Sequence, residues 1–400
     1  MISQFRVQNY KALRDVTLDL TPMHVLIGPN DSGKTSVLEA LQVLSKTLDR
    51  QLSQAIPSRR PKELFSFGDT STTIGLAVTV GESAESPVGY TLNLTRHGDN
   101  WGKLDVLSSG YFGQLELSGS NPHFSAAFQW LRKGERKKER NTPSEEDICA
   151  ALKEVDSSLC GIQFYRWIPR FLASPAALNE ERRYRMEESG FGLPTMLDDI
   201  LGYDIAQFEA LQTEFRRIFP EVERIILRTE KGYREQPTSS GKAPDVSGKG
   251  LAIKFKGADE PLSAASVSDG FLLILAYLSL IHSPQPPPVL LIEEPENGIH
   301  PKRLRDVINM LKPLTQEEGR TQIIMTTHSP DLLDLFDPEE VTLCLKEDDG
   351  SVSAHRLSES EVVQQQKGVF TLGEIWGGEM DEVLAHGPAK SGKTRKNRAS

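Results

Sequence analysis

The sequence predicts an α/β fold with a mixed central sheet, and three observations carry that prediction. The apolar run Val25-Leu26-Ile27 leads directly into a glycine-rich loop and then into an amphipathic stretch, a strand–loop–helix unit. Strands and helices alternate between residues 251 and 346, the rhythm of a parallel sheet covered on both faces. Residues 72–80 and 88–95 each have strand character and are joined by a polar turn, which adds an antiparallel pair.

Taken in order, Ile2, Phe5 and Val7, and then Val16, Leu18 and Leu20, alternate with polar residues as half-buried strands do. Thr21-Pro22 turns the chain into a third strand, residues 23–27. After the loop, Val37, Leu38, Leu41, Leu44 and Leu48 recur at helical spacing and give one core-facing stripe. Pro57 and Pro61 punctuate the end of that helix. Residues 111–250 read as a helical insertion. Residues 131–140 are crowded with charge, Asn141-Thr142-Pro143-Ser144 reads as a turn and cap, and Ile148, Ala151, Leu152 and Val155 keep helical spacing. Leu197, Ile200 and Leu201, then Phe208, Leu211, Phe215 and Ile218, mark one or two longer helices, and 239–250 is a Gly/Ser/Lys-rich loop. Then follow a buried helix (268–282), a Pro-rich link (284–288), a strand (289–293), a helix (302–311), a strand (321–326), a helix (330–336) and a strand (341–346). The expected organisation is 1–110 and 251–357 as two halves of one core, 111–250 as the insertion, 358–386 as an extension, and 387–400 as a disordered basic tail.

Composition limits the function classes. Four hundred residues with 38% hydrophobic content supply a packed core. A formal net charge of −10 excludes a protein that coats nucleic acid with its whole surface. Cys149, Cys160 and Cys344 are not spaced as a metal knuckle and suit a reducing, cytoplasmic setting. Residues 1–6 lack a signal-peptide pattern. The longest apolar stretch, 271–281, falls short of the ~20 residues that span a bilayer, so no membrane is expected.

Residues 28–35 read Gly-Pro-Asn-Asp-Ser-Gly-Lys-Thr, followed by Ser36. Gly28 and Gly33 let the backbone through Pro29, Asn30, Asp31 and Ser32 turn so that successive N–H groups of the loop point at a polyphosphate. The helix beginning near Gly33 adds its positive end. Lys34 is a mobile cation for the outer phosphates, and the Thr35 hydroxyl suits Mg²⁺. The loop predicts binding of a nucleoside triphosphate. Residues 387–394 satisfy the same spacing, but no strand precedes them and no helix can follow. The cations of 387–400 (Lys390, Lys393, Arg395, Lys396, Arg398) read as a solvated end.

The strand Val289-Leu290-Leu291-Ile292 ends on Glu293-Glu294-Pro295. Ligands of open α/β sheets lie at such strand ends. Adjacent residues point to opposite sides, so Glu293 is placed for Mg²⁺ and Glu294 for the attacking water. A second apolar strand ends at Thr326-Thr327-His328-Ser329-Pro330, where His328 can contact the γ-phosphate or the water. His282 and His300 are weaker candidates; His24, His97, His123, His355 and His386 read as structural or solvent-facing. Ser268-Asp269-Gly270 opens the buried helix, with Ser268 placed to cap it, yet a Ser–Gly helix start is also an anion site.

The order of these four motifs resembles that of ABC-type ATPases, and more narrowly the AAA-like ATPases of the RecF/SMC/OLD branch. Phe5-Arg6-Val7-Gln8-Asn9-Tyr10-Lys11-Ala12-Leu13 is similar to that branch's opening strand pair, and Glu294-Pro295-Glu296-Asn297-Gly298-Ile299-His300-Pro301 stands where transporter ATPases have an Asp-rich loop. The resemblance implies a P-loop NTPase with an ABC-type head: a mixed central sheet, an antiparallel β subdomain and a helical insertion. It implies Lys34 and Thr35 on phosphate and Mg²⁺, Glu293 as the Walker B acid, Glu294 as catalytic base and His328 as switch histidine. Ser268 and Gly270 would close over ATP bound to a second copy, with Asn297 at the seam of a head-to-tail dimer. Asp31 replaces a usual glycine, Glu293 a usual Asp, and no Q-loop glutamine stands near Leu64-Phe65-Ser66-Phe67-Gly68-Asp69; slow turnover is expected.

Chains of the OLD type carry a nuclease domain after the switch histidine. Only 72 residues follow His328 here, so a nuclease or other effector is expected on a separate chain. The favoured context is an ATPase subunit of anti-phage defence. The alternative is a DNA-binding repair ATPase of the RecF kind, with Arg132, Lys133, Arg136, Lys137, Lys138 and Arg140 as a basic groove; the interspersed Glu135 and Glu139 favour a solvated helix.

Overall fold

A computed structural model describes residues 1–49, 64–65, 73–81, 87–97, 100–109, 113–117, 145–178, 183–237, 245–316 and 321–387. The chain folds as two units: Met1–Phe164 with Pro287–Leu291 and Thr321–Ser400, and Tyr165–Pro286 with Ile292–Arg320.

The strands, in chain order, are β1 (Ile2–Tyr10), β2 (Leu13–Asp19), β3 (Met23–Ile27), β4 (Thr73–Val80), β5 (Val88–His97), β6 (Asn100–Ser109), β7 (Gly113–Leu117), β8 (Gln163–Tyr165), β9 (Ala176–Ala177), β10 (Val222–Gly232), β11 (Val246–Phe255), β12 (Leu262–Ser263), β13 (Val289–Glu293), β14 (Gln322–Thr326), β15 (Val341–Lys346) and β16 (Val352–Arg356).

The first unit holds two six-stranded sheets. One is antiparallel along its described registers, in the order β2-β1-β4-β5-β6-β7. Its opening hairpin turns through Asn9 and Lys11, both at positive φ, and the Asn9 amide donates to the Thr73 carbonyl (3.1 Å). The other sheet runs β16-β15-β3-β14-β13-β8. Here β3 lies parallel to both β14 and β15, while β15 and β16 form an antiparallel hairpin. β3 and β14 are buried along their whole length, which is why their apolar residues (Val25-Leu26-Ile27 and Ile323-Ile324-Met325) run consecutively rather than alternate.

The buried Gln322 amide ties the sheets together. It donates to the carbonyls of Ile2 (2.7 Å) and Thr21 (3.0 Å) and accepts from the Ile2 N–H (3.0 Å). The helix Lys34–Asp49 follows β3; Val37, Leu38, Leu41, Leu44 and Leu48 all lie in the first unit's core, as their spacing predicts.

The second unit is built on β10-β11-β12, with β9 on β11, and on the helices Leu193–Tyr203, Ile205–Ile218, Asp269–Ile281 and Pro301–Leu311. Every residue from Leu272 to Leu280 is buried, so the apolar run of 271–281 is a core helix. No helix among the described residues is long and apolar enough to cross a membrane.

The expectation of a helical region up to residue 250 needs correction. β10 and β11 pair over ten positions from Val222↔Phe255 to Gly232↔Val246, and residues 246–250 are strand rather than loop. The charged run 131–140, Ser66 to Asp69 and residues 388–400 lie outside the described residues.

Candidate functional site

In the first unit the loop after β3 has the backbone its glycines imply. Gly28 sits at φ 133° and Gly33 at φ 84°. A Cβ on Gly28 would lie 2.1 Å from the Cys344 carbonyl oxygen of β15, so this position admits only glycine. Asp31 adopts φ 63°, a left-handed conformation that Asp and Asn tolerate better than other side chains. The unusual acid is therefore compatible with the turn; Pro29, Asn30 and Asp31 are exposed.

Lys34 is buried, and its Nζ donates to the carbonyls of Gly28 (2.9 Å) and Pro29 (2.8 Å). The Ser32 hydroxyl is buried without a hydrogen-bond partner. Thr35 and Ser36, half-buried, lie in the first turn of the helix. A buried ammonium, an orphaned hydroxyl and a left-handed loop at a helix N-terminus make a donor set that fits a polyphosphate. His328 is half-buried just beyond β14, the neighbour of β3 in the sheet. The Thr327 hydroxyl next to it accepts from the Ser329 N–H (2.9 Å).

The second unit gathers the remaining candidates. Glu294 has φ 47°, a left-handed backbone at a residue with no intrinsic preference for it. Asn297 holds it there: its side-chain amide donates to Glu294 Oε2 (2.6 Å) and its N–H to the Glu294 carbonyl (3.0 Å). Gly298 continues the turn at φ 81°. A Cβ on Gly270 would meet the Gly298 carbonyl at 3.6 Å, so the start of helix Asp269–Ile281 lies against this turn. Ser268, Gly270, Glu294 and Asn297 are thus local to one another.

Ser268 itself corrects one expectation. It occupies the N-cap position with extended backbone, but its side chain makes no cap hydrogen bond. It is exposed, and Asp269 supplies the negative charge of the first turn.

Glu293 lies beside Arg166, with Nε 3.3 Å from Oε2. The Glu293 side chain is 6% exposed and that of Arg166 65%. The pair is therefore open to solvent on the arginine side and is a modest tie. Both residues line a cavity of about 170 Å³ with Tyr165, Trp167, Tyr277 and Glu294. Trp167 packs against Tyr277 (4.5 Å between centroids) and Tyr165 (5.3 Å). Burial pushes both tyrosine phenols well above their ordinary value, so they stay neutral donors. Arg166 and its aromatic neighbours were not singled out from the sequence. The run Tyr165-Arg166-Trp167 at the end of a short strand is the signal that points to them.

Other histidines make local contacts. His282 Nε2 lies 3.3 Å from Glu214 Oε2 at the end of its helix, and His300 Nδ1 accepts from the Lys302 N–H (3.3 Å) at the start of another. His24 is buried between Thr21 (3.2 Å) and Thr342 (2.9 Å). His355 and His386 stand edge-on to one another.

Comparison with known proteins finds AAA-type domains along most of the chain. The AAA ATPase domain family matches residues 1–151, and an AAA domain family whose description names the AbiEii toxin of type IV toxin–antitoxin systems matches residues 162–334. An OLD nuclease of Thermus scotoductus is 22% identical over 419 residues, covering 96% of this chain and 70% of that protein. An ATP/GTP phosphatase of Helicobacter pylori is 20% identical over 386 residues, 87% of this chain and 93% of its own. A RecF replication and repair protein of Bifidobacterium longum is 29% identical over 115 residues, 28% of this chain and 26% of its own. Among solved structures, an Smc head bound to the C-winged helix domain of ScpA aligns with a TM-score of 0.51 at 15% identity, over 90% of this chain and 99% of that one.

Proposed function

We propose, from the premise that this chain is an AAA-type ATPase of the RecF/SMC/OLD branch with an ABC-type P-loop fold, that it is an Mg²⁺-dependent ATP switch. In this reading two copies meet head to tail over bound ATP and separate after hydrolysis, and that cycle gates an effector on a separate chain in anti-phage defence.

Lys34 and the loop from Gly28 to Ser36 hold the phosphates, while Thr35 and Glu293 would hold Mg²⁺. Their hydroxyl and carboxylate oxygens are the hard donors that the ion prefers. Mg²⁺ supplies charge neutralisation between the outer phosphates when bound. Arg166 keeps Glu293 paired until a competing cation arrives. Glu294 accepts a proton from the attacking water, and His328 steadies the γ-phosphate. Ser268, Gly270 and Asn297 serve the copy opposite; a serine hydroxyl not spent on its own helix is available to a phosphate.

The left-handed Glu294, fastened by Asn297, carries this reading best. Strain held at a carboxylate by a dedicated hydrogen bond points to a positioned reactive group. The test is Glu294→Gln. ATP binding is expected to persist, turnover to fall by at least about 100-fold, and a self-associated form to accumulate with ATP in light scattering. Wild-type turnover in this variant would refute the role given to Glu294. Steep, salt-sensitive stimulation of turnover by DNA would favour the RecF-like alternative.

A further inference from the structure

We propose that Glu347, His355 and His386 bind a Zn²⁺ ion that fastens the helix Asp381–His386 to the β15–β16 hairpin. One ligand atom from each of the three lies within 4.8 Å of the others. They are the one such group among the described residues, and they belong to none of the phosphate-loop machinery.

The hairpin register puts two of them together. Leu343 faces His355 and Leu345 faces Ser353, and the turn closes with the Glu347 N–H donating to the Ser351 carbonyl (2.8 Å). Residues opposite one another across an antiparallel pair share a face, as do residues two apart along a strand. Glu347, Ser353 and His355 therefore stand on the face that carries Leu343 and Leu345. The helix Asp381–His386 packs on β15 and buries Val383 and Leu384. Its last residue then reaches the polar end of that face. His386 Nε2 lies 3.6 Å from Glu347 Oε1, and its ring is edge-on to that of His355 with centroids 4.9 Å apart.

Two imidazoles and one carboxylate form a zinc donor set, with a fourth position left for water. Mg²⁺ prefers all-oxygen ligands, so this chemistry is distinct from that expected at Thr35 and Glu293. Tetrahedral coordination at zinc distances brings donor atoms to about 3.3 Å from one another. The Glu347–His386 spacing is already near that value, and the three side chains are only half-buried, so rotamer changes suffice to bring in His355. Ser353 bonds to both Glu347 and His355, the latter at 2.9 Å. It holds the two ligands side by side and can remain as a donor to the carboxylate once the ion is present. Because the ligands come from a hairpin and a separate helix, binding energy becomes energy for docking that helix.

The experiment uses the full chain, free of affinity tag and stripped of metal, with Zn²⁺ alone titrated against a chromophoric chelator. One Zn²⁺ per chain is expected, and Co²⁺ in its place should give the visible absorption of a tetrahedral site. His386→Asn and Glu347→Gln should each weaken binding by at least about tenfold. Zn²⁺ should raise the thermal midpoint of the wild type and leave these variants unmoved. His386 ends a short surface helix, so unchanged ATP turnover of His386→Asn serves as its folding control. Absence of stoichiometric Zn²⁺ in the wild type, or wild-type affinity in both variants, overturns the proposal; either result would make the cluster a hydrogen-bonded contact between hairpin and helix.

Discussion

Glu294 sits on a left-handed backbone, a conformation that costs a residue of this kind roughly 1–2 kcal/mol. Asn297 offsets that cost with one side-chain and one main-chain hydrogen bond. Asn297→Ala removes the first, the side-chain bond to Glu294 Oε2. Turnover should fall about tenfold, equivalent to about 1.4 kcal/mol of lost positioning, with the KM for ATP changed much less. Steady-state kinetics separates the two, and a loss confined to KM would contradict the assignment. Asp31 makes the opposite case, an acid set in a loop that otherwise attracts phosphate. Asp31→Gly keeps the positive φ and removes the charge, so ATP should bind several-fold more tightly in a calorimetric titration at low salt; weaker binding would mean that the carboxylate serves the site. That Asp31 departs from the family pattern was legible in the sequence. That its backbone geometry permits the departure was not, because φ is set by the turn as a whole.

At the scale of elements, legibility followed burial. The strands β3 and β14 and residues 272–280 of the helix Asp269–Ile281 carry consecutive apolar residues because they are buried, and those runs announce them. β4 and β5 alternate and pair from Thr73↔Thr95 to Val80↔Val88. β10 and β11 were missed for the converse reason. Most of β10 is exposed and rich in charge, and β11 begins with Val246-Ser247-Gly248-Lys249-Gly250, a composition that reads as loop. Their pairing is long-range main-chain hydrogen bonding, which side-chain pattern barely records. A close approach tests the register of β3 against β15. Gly28→Ala puts a methyl group into the Cys344 carbonyl at a positive φ, so about 2–4 kcal/mol should be lost. A thermal midpoint within a degree of wild type would show that the loop can move away.

For the molecule as a whole, the candidate residues fall into both compact units, with Lys34, Thr35 and His328 in one and Ser268, Glu293, Glu294 and Asn297 in the other. The sequence showed them as motifs in order; it could not show that Gly270 lies against the Gly298 turn, nor that His355 meets His386, because only the tertiary fold brings these pairs together. The same holds for His24, whose burial determines how the first unit responds to acid. Burial, and then the Arg356 cation, push its pKa from 6.5 down to about 3. The folded state therefore keeps the imidazole neutral, bonded to Thr21 and Thr342, while the unfolded chain takes up a proton near pH 6.5. Above that pH neither state binds the proton and the contribution is constant. As pH falls below it only the unfolded chain gains, so stability declines by up to about 1.4 kcal/mol per pH unit until the folded pKa is approached. Between pH 7 and pH 5 this one group should remove about 2 kcal/mol. Carboxylates shift the curve as well, so the measurement is a difference. Urea unfolding of the wild type and of His24→Asn across that range should give lines whose separation changes by about 2 kcal/mol, the variant being the flatter. Parallel lines would mean that His24 takes up its proton in the folded state and that its buried, neutral form is not what the core requires.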